Sequence, residues 1–504
     1  MKILGNTLIN GLDMVATLLF GFLLVPILLD RIGEDLFGVY TLLLVFSATG
    51  LLSFLDLGLE GALLKYLAGY EAVNDFNKYS KYFWNGAVMY FCIGLLLTVV
   101  FFTVINVFGV FPFNIPENIR EYSKGLFNIY ILQFPLQFLS LALKATLISV
   151  HKFRVLKAIN FLFLLSNFLI IYFAVNQGND LFQYVILFNT IYLVKCIIEY
   201  SVAIKIIPTK FRYKIKLDWS VIVHLFGYAK YLFVSKIVGL IYNQTDKLLI
   251  SFMLPISNLA MFNILNKMPN TMGAVSSVLN STIVPLTAKM NAKNETDNMK
   301  QLFLKGTKWS LVIMIPLIII CIFLIKTFLS IWVGPSYEYL APLSIVLLCQ
   351  YFFSQILSIG STMIVGSGHV KRLIPYSVFG SVVNLIISIS LLPQYGLLGL
   401  VIGTTVSYFL MSVPYLYNLL KIFDVSATEL LNELIRPIGS FVLYTAICYV
   451  ICMHFDVTSL FTLAFEVVLM LVIYILLGYL IVLSKDEREN IMNVLNVNNA
   501  IHPN

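Results

Sequence analysis

Charged side chains are scarce in this chain: Asp, Glu, Lys and Arg make up 12% of its 504 residues, against 60% apolar. A soluble domain carries about a quarter charged, so an ordinary soluble protein is excluded. Cysteine and histidine are sparse too, at six and five. All the cysteines (Cys92, Cys196, Cys321, Cys349, Cys448 and Cys452) fall inside apolar runs. A disulfide framework or a zinc site needs such residues clustered in loops; here they read as small apolar fillers. No G-x-x-x-x-G-K-S/T loop, H-E-x-x-H or G-x-S-x-G occurs, which removes a nucleotide engine and the commonest hydrolases. Any active movement must therefore draw on an ion gradient, the membrane potential or the substrate's own gradient. No cofactor is expected beyond a coupling ion, H+ or Na+. Long polar loops are missing, which leaves no room for a soluble domain. No small-x-small cleavage site follows the first apolar run, so it is expected to remain as a span.

What is present is a series of fourteen apolar runs, from Leu4–Leu29 to Leu460–Leu483. Nearly all reach the ~20 residues that a helix needs to cross ~30 Å of hydrocarbon. With the N-terminus inside, 24 of the 33 Lys and Arg fall around inner connections, while only Arg31, Arg120, Lys124 and Lys326 fall on outer ones. Basic segments cross an energised membrane poorly. The split predicts an even number of spans and both termini in the cytoplasm. The net charge of +8 belongs to inner loops beside anionic lipid, not to a nucleic-acid partner. The expected fold class is an all-α polytopic membrane protein with about 14 transmembrane helices.

The most basic connection, Pro208–Ile222, falls between runs six and seven and reads as the joint between two halves. At an offset of 218, Ser149-Val-His151-Lys-Phe-Arg154 lines up with Ser367-Gly-His369-Val-Lys-Arg372. Internal repeats of this kind are common in transporters. Three segments are expected: a six-helix lobe at 1–218, a second at 219–421 related to it by pseudo-two-fold symmetry, and two extra helices with a tail at 422–504. Gly399-Leu-Val-Ile-Gly403 is a small-xxx-small pattern suited to close helix contact.

Ionisable groups inside spans are costly and tend to face a partner or a water-filled cavity. The seventh run holds Lys230, Lys236, Asp246 and Lys247. Lys230 is close enough to the inner interface to snorkel. Lys236 and Lys247 lie within about 20° of one another around a helix. Asn243 is near the same stripe and Asp246 is offset by about 100°. Lys267 lies near mid-depth in the eighth run. Lys236, Lys247 and Lys267, with Asp246 as partial counter-ion, would line a cavity that attracts phosphate or pyrophosphate. Internal ion pairs joining helices are the alternative. Asp13 has no local partner and is expected to be the coupling or proton-binding group. Lys195 and Glu199 read as a self-satisfied i,i+4 pair. Asp56 and Glu60 are expected near water.

Several motifs follow one another in order: Gly5-Asn6-Thr7, Gly38-Val-Tyr40, Phe54-Leu-Asp56-Leu-Gly58-Leu-Glu60-Gly61, Asn243-Gln-Thr-Asp246-Lys247 and Leu392-Pro393-Gln-Tyr395-Gly396-Leu-Leu-Gly399. Their order and spacing, over nearly the whole chain, resemble the Wzx-type O-antigen and polysaccharide flippases of the MOP (MATE-like) exporter superfamily. That resemblance implies a transporter, not an enzyme, of the bacterial inner membrane. Its substrate would be an undecaprenyl-diphosphate-linked oligosaccharide, carried from the cytoplasmic to the periplasmic face through a central cavity of alternating access. Lys236, Lys247, Lys267 and Asn243 would meet the diphosphate. Membrane lipid, a polysaccharide polymerase and chain-length proteins would be its partners, with no nucleic acid and no nucleotide. Three rivals stand beside it: a flippase for another lipid-linked glycan (lipid II, capsule or teichoic precursor), a MATE-type drug/cation antiporter, and an O-antigen polymerase or ligase. The two extra spans and the lysines of run seven oppose the antiporter. The short outer connection Pro112–Tyr122 opposes the polymerase.

Overall fold

The computed structural model describes residues 2–110, 112–175, 181–212, 217–455, 457, 459–483 and 487–488, and among them there is no strand. Among the described residues, eleven helices are long and apolar enough to cross a membrane. The chain is an all-α polytopic membrane protein.

Packing divides it into two compact units. The first comprises Met1–Ile264 with Ile389–Leu400. Its helices are α1 (Lys2–Val45), α2 (Leu59–Ala72), α3 (Phe76–Phe108), α4 (Glu117–Tyr130), α5 (Phe134–Ser149), α6 (Phe153–Ile170), α7 (Leu181–Ile204), the short α8 (Thr209–Arg212), α9 (Trp219–Met253) and α10 (Ser257–Leu265). The second comprises Leu265–Ser388 with Val401–Asn504. Here lie α11 (Lys267–Ser281), α12 (Ile283–Ala292), α13 (Thr296–Trp332), α14 (Ala341–Gly366), α15 (Ile374–Tyr395), α16 (Leu397–Ile422), α17 (Ala427–His454) and α18 (Leu460–Leu477). The end of α15 and the start of α16 group with the first unit.

The fourteen expected runs compare with eleven such helices among the described residues, and several of the runs change form. The first two begin as one helix, α1, broken at Gly33 (φ 74°, ψ 174°). The second run leaves α-helix at Val45 and continues as a 3-10 turn, Leu51–Asp56. Gln137 of α5 accepts from the freed Ala48 N–H at 2.7 Å, which satisfies backbone that lipid would leave bare. The eighth run is cut into α10, α11 and α12.

Proline explains two of the interruptions. A proline cannot donate to the carbonyl four residues earlier. For Pro135 that carbonyl is Ile131 O, and Thr98 of α3 donates to it at 3.0 Å. For Pro269 it is Leu265 O, and Ser344 of α14 donates to it at 3.0 Å. Glycine is required where backbones touch. A Cβ on Gly38 would collide with the Ile256 carbonyl, and Cβ atoms on Gly399 and Gly403 would collide with α15, as the small-xxx-small pattern anticipated.

The internal repeat is legible in the turns. Between α2 and α3, Asn74 (φ 56°) is followed by Asp75, whose N–H donates to Tyr70 O at 2.9 Å. Between α12 and α13, Asn294 (φ 56°) is followed by Glu295, whose N–H donates to Met290 O at 3.0 Å. After α5, His151 (φ 57°) precedes a Lys152 N–H bonded to Leu147 O; after α14, Gly368 (φ 80°) precedes a His369 N–H bonded to Ile364 O. His151 therefore matches Gly368, one position off the register in which the two histidines coincide. Within the first unit α3 packs on α2 and α5, and within the second α13 packs on α12 and α14.

The compact units divide near residue 264, not at the 218/219 joint between the expected lobes. The start of α9 is tied to the first unit: Asp218 pairs with Lys81, and its N–H donates to Asn85 Oδ1 at 2.8 Å. His224 bonds the hydroxyls of Tyr82 at 2.6 Å and Tyr66 at 3.2 Å. The Lys81 ammonium lowers the Asp218 carboxyl to about 2. The two C-terminal helices, expected as an addition at 422–504, share a core with α13: Leu311, Ile315, Leu434, Tyr444 and Met470 belong to one cluster.

Candidate functional site

The six residues singled out in the sequence separate by unit. Asp13, Lys236, Asn243, Asp246 and Lys247 belong to the first and Lys267 to the second. The side chains of Lys236 and Asn243 lie outside the described residues; their backbone is part of α9. Lys247 and its neighbour Asp246, in the last two turns of α9, are half-buried and interact electrostatically.

Lys267 opens α11, immediately after the break that Pro269 imposes. The break gives its position a defined origin. Pro269 frees the Leu265 carbonyl, Ser344 captures it, and the chain restarts its helix at a half-buried lysine. Thr271 Oγ1 donates back to Lys267 O at 2.8 Å and closes the first turn. Lys267 is thus a cation at a proline-defined helix start inside an apolar run, where a charged group faces a partner or a water-filled cavity.

Asp13, expected to lack a local partner, has a distant one in the sequence. Its Oδ2 lies 2.6 Å from the Lys157 ammonium on α6, with the carboxylate side chain 17% exposed. Its Oδ1 is buried without a hydrogen-bond partner. The carboxylate is a helix-to-helix ion pair, so its charge is already balanced. Lys195 and Glu199 pair as expected, at 3.7 Å, and Ser140 adds a donor to Glu199 at 2.6 Å. Asp56 is wholly buried, not near water. It accepts from the Tyr90 hydroxyl and from the Glu60 N–H at 3.0 Å, while Glu60 pairs with Lys144 at 2.8 Å.

Two polar clusters escaped the sequence reading. In the first unit Tyr40, Tyr184 and Asn167 form a buried hydroxyl chain, at 3.2 and 3.0 Å. In the second, Gln355 Oε1 accepts from Ser276 at 3.0 Å and Ser310 at 3.1 Å, joining α14 to α11 and α13. The available signal was a Ser, Asn or Gln repeated within apolar runs. Which of them meet depends on helix pairs distant in sequence.

This architecture can be set beside known proteins. The fold is similar to that of a lipid II flippase, MurJ, in an inward closed conformation: TM-score 0.70 at 15% identity, covering 93% of this chain and 98% of that one. It is also similar to an inward-facing multidrug resistance MATE transporter of the MOP superfamily, with TM-score 0.63 at 11% identity and coverage of 83% and 98%. An uncharacterized membrane protein of Methanocaldococcus jannaschii, MJ1068, is 24% identical over 226 residues, and the chain spans 45% of the length of that relative. A family model described as MatE matches residues 232–390. Another, described as polysaccharide biosynthesis protein, matches residues 3–291. That stretch is more than half of the 504 residues, and the chain belongs to the polysaccharide biosynthesis protein family.

Proposed function

We propose that this protein is a flippase that moves an undecaprenyl-diphosphate-linked oligosaccharide, such as an O-antigen repeat unit, from the cytoplasmic to the periplasmic face of the bacterial inner membrane. One agreement carries the reading. A polysaccharide-biosynthesis family match over 3–291 coincides with a fold similar to that of a lipid II flippase over 93% of the chain. The basic-residue asymmetry of 24 against 4 supports the orientation, with both termini cytoplasmic.

In this mechanism the diphosphate is received by Lys247 and Lys267, together with Lys236 and Asn243. The lipid tail stays in the bilayer while the sugar crosses by alternating access, driven by H+ or Na+. Asp246 tempers the charge beside Lys247, so the anion is held without being trapped. A polymerase and chain-length proteins act on the delivered unit.

A second reading, a flippase for lipid II or for a capsule or teichoic precursor, is favoured by the likeness to a lipid II flippase. Deleting the gene and identifying the glycan that accumulates on undecaprenyl diphosphate separates the two. An O-antigen-type repeat unit supports the first. A muropeptide or teichoic precursor supports the second. No accumulated lipid-linked glycan contradicts both.

A further inference from the structure

Glu466 occupies the middle of a helix face that is otherwise apolar and aromatic. The buried residues of α18 are Leu463, Glu466, Met470 and Tyr474, a spacing that forms one stripe turned toward the protein. Glu466 is 1% exposed, and among the described residues neither carboxyl oxygen has a partner within ordinary hydrogen-bond geometry. The side chain that interacts with it is the Cys452 thiol of α17. Cys448 on α17 also interacts with it electrostatically. Further along the same interface lie Tyr444 of α17 and Tyr474 of α18, whose rings meet edge to face, and Cys321 of α13 lines a cavity with Leu463 and Val467 of α18. Glu466 has no ion-pair partner among the described residues.

The residue lies six positions after the start of a 23-residue apolar span, Leu460–Val482, which puts it about 9 Å along the helix and within the ~30 Å hydrocarbon layer. A carboxylate there costs several kcal/mol unless a counter-charge or water meets it. The packing of α18 on α17 therefore accommodates the neutral acid, and ionisation requires α18 to leave that packing. Its neighbours on the helix carry the consequence further. Leu463 and Val467 line an apolar cavity of about 200 Å³ that Met268 and Met272 of α11 also line. That helix begins at Lys267. Displacement of α18 changes the cavity wall against the first turns of α11.

We propose that Glu466 is a proton-binding site that couples proton movement to transport. This inference rests on the flippase reading. With the proton on, α18 docks against α17 and α13. When the carboxyl releases its proton to water, α18 moves and the α11 segment carrying Lys267 moves with the wall it shares. Asp13 is less suited to this role because Lys157 already balances it.

The test uses the full-length chain in proteoliposomes, with a lipid-linked oligosaccharide scored for sidedness by an impermeant glycosidase and a trapped pH dye reporting proton uptake. Wild type is expected to take up protons with each flipping event and to speed up under an imposed proton gradient. Glu466→Gln keeps the side-chain shape and removes the titratable proton. It is expected to flip but to lose both proton uptake and the acceleration. Retention of either in Glu466→Gln overturns the proposal, as does wild-type flipping without proton movement. Absence of wild-type flipping instead overturns the flippase reading. A second measurement does not depend on the variant folding. An apolar carbodiimide, which adds to protonated carboxyls in apolar surroundings, is expected to modify Glu466 of the native protein at neutral pH. An unmodified Glu466 would count against the proposal.

Discussion

The carboxylate of Asp13 and the ammonium of Lys157 stand 2.6 Å apart, joining α1 to α6 across 144 residues of sequence. Both are largely withdrawn from solvent, at 17% and 28% exposure. Removing one partner leaves the other without compensation, whereas removing both together does not. Lys157→Ala is expected to destabilise the first unit by about 2 kcal/mol, between the usual costs for surface and fully buried pairs. The double variant Asp13→Asn/Lys157→Met should recover most of that loss. Thermal unfolding of the purified proteins checks it; equal losses in single and double variants would show that the pair is not what matters.

The captured carbonyl of Leu265 gives a second expectation. Ser344→Ala leaves a buried C=O without its donor, at a cost of about 1–3 kcal/mol. Pro269→Ala restores a backbone N–H near that carbonyl, so adding it to Ser344→Ala should offset part of the loss. Melting curves of the two variants provide the comparison.

The Lys81–Asp218 pair at the start of α9 should make that helix end sensitive to acid. The folded carboxyl is lowered to about 2, below the value of ~3.9 for an unfolded Asp. A depressed carboxyl contributes stability that is present above the unfolded value and lost as pH falls through the folded one. Amide exchange in the first turn of α9 should therefore quicken as pH falls from about 4 to about 2. In Lys81→Ala this step should move toward the unfolded value. Exchange that is independent of pH in wild type would contradict the linkage.

Lys247 and Lys267 are expected to matter for transport rather than folding. Lys267→Ala should abolish surface polysaccharide while the protein still accumulates in the membrane, and Lys247→Ala should reduce it strongly. Lys267→Arg, which keeps the charge on a different geometry, should restore part of the output. Wild-type polymer from Lys267→Ala would remove that residue from the substrate path.

Much of this architecture can be read in the chain because a membrane enforces it. Apolar length marks the helices, and the same patterning anticipated the tight α15–α16 contact at Gly399 and Gly403. What escaped depends on which helices meet. Asp13 looked unpartnered because Lys157 is 144 residues away. Asp56 looked solvated because nothing near it in sequence announces Tyr90. The allegiance of α9 to the first unit rests on Asp218 and His224 contacts with α2 and α3, which no loop composition encodes. Glu466 sits where an apolar residue would complete the stripe, and only the packing of α17 reveals it as isolated.

Translocation is tested by the sidedness of the lipid-linked oligosaccharide in cells lacking the gene, before and after complementation. Unpolymerised units should accumulate on the cytoplasmic face and be cleared by the wild-type gene but not by Lys267→Ala. Accumulation on the periplasmic face would contradict this expectation, because translocation would then be intact and the block would lie in polymerisation or ligation.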